Sequence, residues 1–251
     1  MSSTGNKVSY VRTFLAFVLG VSWTGVCSIL AIAGANLTGS GECVHRISRI
    51  WGLFILWVMG VRIHWHHFQN IPKDKSVLIV SNHQSACDIL AYSAYFPLNF
   101  VWIAKKELFK IPLFGNAMRK AGYISIDRKN REKSYQTIHE AAKQIKNISV
   151  LIFPEGTRTR DGNIRRFKRG ASVLAKESRI PLLPITITGS FERWSPDKYA
   201  ISPGDIDIYI DPLIPIHDKT DDEIEDIFKE IRNRMVNRVK TNNDVENEQA
   251  E

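Results

Sequence analysis

The sequence predicts an α/β fold with a largely parallel sheet flanked by helices, and three observations support that prediction. Short apolar, β-branched runs alternate with helical patterns between residues 73 and 210, an order typical of α/β proteins. Two polar motifs directly follow predicted strands, the place where ligands gather in open α/β sheets. The chain also begins with apolar stretches, which add an N-terminal, membrane-embedded two-helix hairpin to the predicted fold.

The composition restricts the class of protein only loosely. The 251 residues are 44% hydrophobic and 24% charged, which is ordinary for a globular protein with one substantial core. The net charge of +8 suits nucleic acid, anionic lipid or a phosphorylated substrate equally well. Cys27, Cys43 and Cys87 form neither a paired disulfide framework nor a C-x-x-C zinc or redox motif. We therefore expect free thiols in a reducing compartment.

The first apolar stretch, residues 13–37, lies in a region without charge between Arg12 and Glu42. It is long enough to cross a bilayer, which takes about 20 residues. A cleaved signal peptide is the competing interpretation, because basic residues precede the stretch and the sequence Ala-Gly-Ala occurs near its end. The stretch is longer than the apolar region of a usual signal peptide, so we predict a retained anchor.

The second apolar stretch, residues 50–61, is bounded by Arg49 and Arg62. A stretch this short is more typical of an interfacial, re-entrant or core helix than of a spanning one. Basic residues flank the first stretch on both sides, so the positive-inside rule gives no direction. We predict a helical hairpin that dips into one leaflet from the cytoplasmic side, with a single spanning helix as the alternative.

Three histidines, His64, His66 and His67, surround Trp65 just after the second stretch. Their spacing is too tight for a good tetrahedral metal site, and no cysteine or carboxylate lies nearby in the sequence. We predict no metal site here and interpret these residues as interfacial.

The predicted elements divide the chain into three parts: a membrane anchor over residues 1–70, an α/β domain over 71–240, and a polar, disordered tail over 241–251. The domain has six predicted strands, at residues 76–81, 100–104, 123–126, 150–153, 182–188 and 206–210. Helices are predicted at residues 88–95, 133–147, 168–178 and 221–240, with a further helical region over 106–121 that is interrupted at Pro112 and Gly115.

The first polar motif, residues 81–88, follows the first of these strands. A histidine at a strand end and an aspartate at the start of the next helix can form a pair in which Asp88 fixes the tautomer and His83 takes a proton from a hydroxyl. Alternatively, Asp88 caps the helix and His83 is an ordinary loop residue. Ser85 and Cys87 lie close enough for a covalent route to be a third possibility.

The second polar motif, residues 153–160, follows the strand at 150–153. Gly156 allows a tight turn and a close approach of the backbone. Arg158 offers a planar guanidinium suited to phosphate. Further basic residues follow at 165–169, where a solvated loop or a contact with anionic lipid is the simpler interpretation. The motif therefore predicts a phosphorylated substrate.

Taken together, these motifs resemble those of the 1-acylglycerol-3-phosphate (lysophosphatidate) acyltransferase family. Its first motif, N-H-x-x-x-x-D, matches Asn82, His83 and Asp88, and its third, F-P-E-G-T-R-S, matches residues 153–159 with Thr159 in place of serine. Its fourth, an apolar segment with two prolines, matches residues 180–185. Its second motif matches Lys105, Glu107, Leu108, Pro112, Gly115, Gly122 and Arg128.

The resemblance implies that a fatty acyl group passes from acyl-CoA or acyl-carrier protein to the sn-2 hydroxyl of lysophosphatidic acid, giving phosphatidic acid for phospholipid biosynthesis. His83 would be the general base and Asp88 its orienting partner, with no cofactor beyond the thioester co-substrate. Backbone N–H groups of the turn at 155–157 would stabilise the oxyanion. The residues implied in binding the substrate phosphate are Lys105, Arg128, Glu155, Gly156, Thr157 and Arg158.

The same motifs also resemble acyltransferases that act on glycerol-3-phosphate or on other lysolipids, and these remain alternative acceptors. The implied partners are lysophosphatidic acid, the acyl donor and membrane lipids. Nucleic acid is not expected, because the basic residues after Pro154 lack interleaved aromatic side chains. We expect the catalytic domain at the cytoplasmic face of a bacterial inner membrane or its equivalent. Donor, acyl chain length and oligomeric state are not predicted.

Overall fold

The computed structural model describes residues 10–145 and 148–248. Its helices are α1 (Tyr10–Thr38), α2 (Glu42–Met59), α3 (Cys87–Tyr95), α4 (Phe114–Lys120), α5 (Arg131–Gln144), α6 (Arg169–Ser178), α7 (Ser190–Trp194) and α8 (Asp221–Glu248). Its strands are β1 (Val61–His66), β2 (Leu78–Ser81), β3 (Phe100–Lys105), β4 (Ile124–Ile126), β5 (Ser149–Ile152), β6 (Leu182–Thr188) and β7 (Gly204–Ile210). Single 3-10 turns lie at Phe68–Asn70 and Leu108–Lys110.

The seven strands form one sheet in the order β1-β7-β6-β2-β5-β3-β4. Strands β2 to β6 are parallel to one another, while β7 runs antiparallel to β6 and carries the parallel edge strand β1. The predicted α/β class with a largely parallel sheet is confirmed. Because the five parallel strands end on the same side, the loops that follow them meet along one edge of the sheet.

Helices cover both faces of the sheet, as the continuous apolar runs of the central strands require. On one face, Leu56 and Met59 of α2 and Tyr92 of α3 pack in a core with Ile79 of β2. On the opposite face, α5, α6 and α8 pack against the alternate strand residues. That second core includes Leu78, Ile138, Leu174 and Phe228.

The predicted N-terminal hairpin is present as α1 and α2, which lie side by side. The indole of Trp51 donates a hydrogen bond to the hydroxyl of Thr24 at 2.9 Å, and the rings of Trp23 and Phe54 lie 4.8 Å apart. Within the described ranges, α1 is the one helix long and apolar enough to cross a membrane. Most of its apolar side chains are exposed, such as Phe17 at 70%, and an uncovered apolar surface of this size is typical of a contact with lipid or another partner.

Strand β1 was not predicted. The structure divides the apolar run at 50–61 between α2 and β1, and the first residue of β1 is the last residue of the run. The division lies at Gly60, which caps α2 in a left-handed conformation with φ 69°. Glycine is the residue that this conformation favours. The histidines interpreted as interfacial lie on or beside this strand, and His66 Nε2 lies 2.6 Å from Asp207 Oδ1 of β7. The predicted boundary after residue 70 therefore does not separate two packing units, because β1 pairs with β7 in the sheet of the α/β domain.

The C-terminal helix is longer than predicted. Helix α8 extends through Glu248, whereas the sequence predicted a disordered tail from Thr241. Adding one residue to an existing helix costs far less than nucleating a new one, so a polar segment can continue a packed helix. Residues 249–251, and residues 146–147 at the end of the predicted helix 133–147, lie outside the described ranges.

Candidate active site

The two polar motifs lie side by side at the edge of the sheet where the parallel strands end. Strands β2 and β5 are direct neighbours, so the loops that follow them are brought together. The backbone N–H of Thr159 in the second loop donates to the carbonyl of His83 in the first at 3.0 Å. The predicted site at the carboxyl ends of the strands is thus assembled from distant segments: His83 and Glu155, which are in contact, are 72 residues apart in the chain.

His83 and Asp88 form the predicted pair. Nδ1 of His83 lies 2.7 Å from Oδ2 of Asp88, and the same oxygen accepts the backbone N–H groups of Gln84 at 2.8 Å and Ser85 at 2.9 Å. Two backbone donors converge on the oxygen that faces the imidazole, so this oxygen is the acceptor in the contact with Nδ1. Nδ1 of His83 is therefore the donor, which leaves Nε2 with a lone pair.

The alternative in which Asp88 only caps a helix does not describe this geometry. The N-cap residue of α3 is Ala86, which has no side-chain capping bond, and Asp88 lies inside the first helical turn. Its carboxylate points back to the loop and binds the imidazole. Asp88 is completely buried, so its orientation is set by these contacts and not by solvent.

The imidazole of His83 is packed and largely neutral. Its ring stacks on Phe153 with 3.9 Å between centroids. Burial lowers the pKa of His83 below its usual 6.5; the hydrogen bond to Asp88 opposes this shift, and the positive charges of Arg158 and Arg128 add to it. Among the described residues none forms a hydrogen bond with Nε2. A neutral imidazole with a free lone pair can accept a proton from a hydroxyl.

Glu155 is held by backbone contacts on both of its carboxylate oxygens. Its Oε1 accepts the backbone N–H of His83 at 2.8 Å, and its Oε2 accepts that of Arg165 at 2.9 Å. The side chain is buried, and this burial raises the pKa of Glu155 to about 7. Both oxygens accept backbone N–H groups, so Glu155 fixes the backbone of His83. Its part in phosphate binding stays a prediction.

The turn that follows is partly different from the prediction. Gly156 adopts φ 72°, a left-handed conformation that favours glycine. Its N–H donates to the carbonyl of Phe153 at 2.9 Å, so Gly156 shapes the turn but cannot offer that N–H to an oxyanion or a phosphate. Within the described part of the chain, the N–H groups of Thr157 and Arg158 have no such partner.

Three of the predicted phosphate ligands are cations at the same edge. Lys105 ends β3, Arg128 follows β4 and Arg158 follows β5, and these strands are neighbours in the order β5-β3-β4. Arg158 and Arg128 are both near enough to act electrostatically on His83. None of the three forms an ion pair with a carboxylate of the described residues. This edge can therefore hold an anion beside His83.

The covalent alternative is not supported by the positions of Ser85 and Cys87. The hydroxyl of Ser85 donates to the carbonyl of Trp194 at 2.7 Å and accepts the N–H of Cys87. Cys87 is completely buried, and burial raises the pKa of its thiol to about 12. A nucleophilic cysteine needs a thiolate that the substrate can reach, and Cys87 meets neither condition. No group of histidine, cysteine or carboxylate residues in the described ranges could hold a metal ion.

Several residues that hold the site were not identified from the sequence. Phe153 and Asn82 lay within the motifs but had no assigned role. The amide of Asn82 makes two hydrogen bonds with the backbone of Ile187, at 2.8 Å and 2.7 Å, and so fastens the His83 loop to β6. Arg232 of α8 donates to the carbonyls of Ile164 and Arg165, both at 2.9 Å; a lone arginine in a charged helix gave no signal of this contact.

Known proteins are similar to this chain in sequence. Residues 62–188 match the family described as Acyltransferase. The 1-acyl-sn-glycerol-3-phosphate acyltransferase of Limnanthes douglasii is 34% identical over 187 residues, which are 74% of this chain and 66% of that protein. The human 1-acyl-sn-glycerol-3-phosphate acyltransferase alpha is 30% identical over 224 residues, which are 88% of this chain and 78% of that protein. The chain belongs to the 1-acyl-sn-glycerol-3-phosphate acyltransferase family.

The fold of this acyltransferase also matches a solved structure. The crystal structure of the 1-acyl-sn-glycerophosphate (LPA) acyltransferase PlsC from Thermotoga maritima aligns with a TM-score of 0.78 and 23% identity, covering 92% of this chain and 95% of that one. The likeness includes nearly the whole chain, so the hairpin and the α/β domain form one shared architecture. The expected family and enzyme class are confirmed by the relatives in sequence.

Proposed function

We propose that this acyltransferase transfers a fatty acyl group from an acyl thioester, acyl-CoA or acyl-carrier protein, to the sn-2 hydroxyl of lysophosphatidic acid. The observation that carries the proposal is the His83 imidazole, whose Nδ1 is held by Asp88 at 2.7 Å. The charges of Arg128 and Arg158 act on the same ring. A base for a hydroxyl thus lies beside charges for a phosphate, and lysophosphatidic acid carries both groups. The names of the relatives support this acceptor.

The reaction follows from the free nitrogen of His83. Nε2 takes the proton from the acceptor hydroxyl as its oxygen attacks the thioester carbonyl, and Asp88 stabilises the imidazolium that forms. The tetrahedral oxyanion is stabilised by the free N–H groups of Thr157 and Arg158. When the intermediate collapses, the C–S bond breaks and the imidazolium returns its proton to the leaving thiolate. The chemistry requires no cofactor besides the thioester.

The phosphate of the acceptor binds to Lys105, Arg128 and Arg158 in this proposal, with the hydroxyl of Thr157 as a further donor. Arginine presents two parallel N–H groups that match a phosphate, while Lys105 contributes a point charge. An anion held there also offsets the repulsion between Arg128 and Arg158. Binding the phosphate places the neighbouring glycerol hydroxyl within reach of His83, which is a gain in orientation as well as in affinity.

An apolar pocket with a lining suited to methylene groups is the candidate contact for the acyl chain in this proposal. It lies between the hairpin and the layer formed by α3, β3 and α4, and α3 is the helix that carries Asp88. A chain of methylene groups matches such a lining, since its burial is favourable in proportion to its area. The lining includes Thr24, Ser28, Trp51, Ser93, Trp102 and Met118.

The hairpin anchors the enzyme in a membrane in this proposal, with the catalytic domain on the cytoplasmic face. The exposed apolar side chains of α1 support membrane contact, and the close packing of α2 on α3 supports a domain that lies against the bilayer. Labelling of a cysteine placed near the N-terminus distinguishes a hairpin within one leaflet from a single spanning helix. Labelling from the cytoplasmic side supports a hairpin within one leaflet, and labelling only from outside contradicts it.

The direct test uses the purified protein in lipid vesicles. Lysophosphatidic acid is supplied with acyl-CoA or with acyl-carrier protein of several chain lengths, and products are read by mass spectrometry; glycerol-3-phosphate and other lysolipids are tested in parallel. We expect the native protein to form phosphatidic acid and the H83A variant to lose this activity. The matched control is H139A, at a half-exposed histidine of α5 paired with Glu177, which should retain the activity. Transfer only to another acceptor, or full activity of H83A, overturns the proposal.

A further inference from the structure

A short apolar loop projects from the edge of the sheet beside the candidate active site. It joins the 3-10 turn Leu108–Lys110 to α4, and it begins a few residues after Lys105 at the end of β3. Two aliphatic side chains in this loop are exposed, Ile111 at 46% and Leu113 at 44%. Exposed aliphatic residues next to a site for a phosphorylated lipid require an explanation.

The backbone of this loop is strained at Leu113. Its φ of 60° and ψ of −61° are positive-φ values that a residue with a side chain rarely adopts. The N–H of Phe114 donates to the carbonyl of Pro112 at 2.7 Å, which closes the rare, strained form of γ-turn around Leu113. Glycine would adopt this conformation at lower cost.

The strained turn is fixed on both sides. The N–H of Gly115 donates to the carbonyl of Ile111 at 2.8 Å, and the guanidinium of Arg119 donates to the carbonyl of Phe109 at 2.7 Å. A Cβ atom on Gly115 would overlap the backbone of Phe109. The loop therefore presents Ile111 and Leu113 outward in a defined geometry.

In water, a leucine side chain at position 113 does not stabilise the fold of this protein. The side chain makes the backbone conformation unfavourable, and because it is half exposed it recovers only part of the free energy of burial. Both costs would be offset if the side chain were buried by a partner outside the chain. An aliphatic pair on a rigid loop fits an apolar phase better than a polar partner.

The position of the loop indicates that this partner is the lipid bilayer. The ring of Phe114, next to Leu113, lies 6.0 Å from that of Trp51 in α2, and both line the same cavity as Thr24 of α1. The loop thus adjoins the hairpin, whose exposed apolar residues form the proposed membrane contact. Lys110 is exposed at the start of the loop and suits the phosphates of lipid headgroups.

We propose that residues 111–113 form a second membrane contact, in which Ile111 and Leu113 insert among the acyl chains while Lys110 stays at the headgroups. The inference rests on the membrane association given under the proposed function and extends it to the edge of the active site. The contact holds the end of β3, and with it Lys105, at the depth where the phosphate of a membrane-bound acceptor lies.

A depth measurement tests the contact directly. The background is a variant in which Cys27, Cys43 and Cys87 are replaced by alanine. Single cysteines are introduced into it at positions 113, 17 and 135, and each is labelled with an environment-sensitive fluorophore. The labelled proteins are bound to vesicles whose acyl chains carry spin labels that quench the fluorophore. We expect quenching at position 113 as at Phe17 of α1, and none at Tyr135, which is exposed on α5. Quenching at 17 but not at 113 overturns this inference alone, and quenching at neither overturns membrane association as well.

A pair of glycine variants tests the inference in the protein with its native cysteines. L113G removes the side chain and relieves the strain of the γ-turn. The control H67G places glycine at another exposed residue with positive φ, just after β1, which has the milder left-handed helical conformation of φ 60° and ψ 40°. We expect both to be at least as thermostable as the parent in detergent. Only L113G should lose activity on vesicle-borne lysophosphatidic acid, by about tenfold, while keeping its activity on a water-soluble, short-chain acceptor. Equal activity of L113G and H67G on vesicles contradicts the proposal.

Discussion

The carboxylate of Glu155 accepts the backbone N–H of His83 at 2.8 Å, and this bond joins the loop after β5 to the residue that carries the proposed base. The second oxygen of Glu155 holds Arg165, so one buried side chain sets the position of two loops. The site is therefore a unit in which the loop that offers Arg158 cannot shift without moving the backbone of His83.

This bond predicts that E155Q changes the rate more than the binding of substrate. Glutamine can accept only one of the two N–H groups, and its own NH₂ faces the other, so we expect a loss of about 1–3 kcal/mol in stability. The value of kcat should fall while KM for lysophosphatidic acid changes little. Steady-state kinetics and thermal unfolding check this. A rise in KM at constant kcat would instead indicate that Glu155 binds the phosphate.

The pairing of His83 with Asp88 predicts a large effect of D88N. Asparagine keeps the shape but removes the charge, and its NH₂ favours the wrong tautomer of the imidazole. We expect kcat to fall by roughly 10³- to 10⁴-fold with an unchanged circular dichroism spectrum. The matched control is D218N on the surface, which should keep full activity. A loss below tenfold in D88N would contradict the orienting role.

The environment of His83 predicts the pH dependence of the reaction. Burial lowers the pKa of His83, so the neutral base form persists to a pH below 6.5 and is lost only on further acidification. The rate in the acid range should therefore fall with a midpoint below 6.5. Because Arg158 also disfavours the imidazolium, R158Q should move this midpoint to higher pH. Histidine NMR of the free enzyme separates this titration from that of the substrate phosphate.

The position of Arg158 predicts selective loss of phosphate binding. A charge-assisted hydrogen bond contributes about 1.5–3 kcal/mol, so R158A should raise KM for lysophosphatidic acid roughly 10- to 100-fold. The effect on an uncharged monoacylglycerol acceptor should be much smaller. The matched control is R166A, an exposed arginine of the same loop. Equal losses for both acceptors would show that Arg158 acts on structure and not on the phosphate.

The burial of Cys87 predicts that its thiol is inert. With its pKa raised to about 12, it remains a thiol at pH 8, and alkylation of the native protein should label the half-exposed Cys43 first. C87A should retain most of its activity. Peptide mass spectrometry and an acyl-transfer assay test both points. Loss of turnover in a folded C87A protein would restore the covalent alternative.

The parts that were predictable from sequence are those whose signal is local. Strands β2, β5 and β6 are apolar runs of the right length, and β6 was predicted with its observed bounds. The pair of His83 and Asp88 is separated by five residues, so a strand end and a helix start place the two side chains together.

The parts that were missed depend on contacts between distant segments. Strand β1 continues an apolar run from α2, and its partner β7 lies 141 residues further along the chain, so no local pattern separates strand from helix there. The bonds from Glu155 to the backbone of His83 and Arg165 form only when two loops meet, so the sequence could not show them. A charged residue in a motif does not show whether it faces a ligand or the backbone.

The pairing of β1 with β7 has a consequence for how the protein is made. The hairpin and β1 leave the ribosome early, whereas β7 follows roughly 7–28 s later at usual rates of synthesis. During that interval both edges of β1 lack a partner strand, directly after the hairpin that is proposed to contact the membrane. Strand β7 then pairs with β6 on one side and with β1 on the other, so the sheet gains its edge strand only when nearly all of the α/β domain has been made.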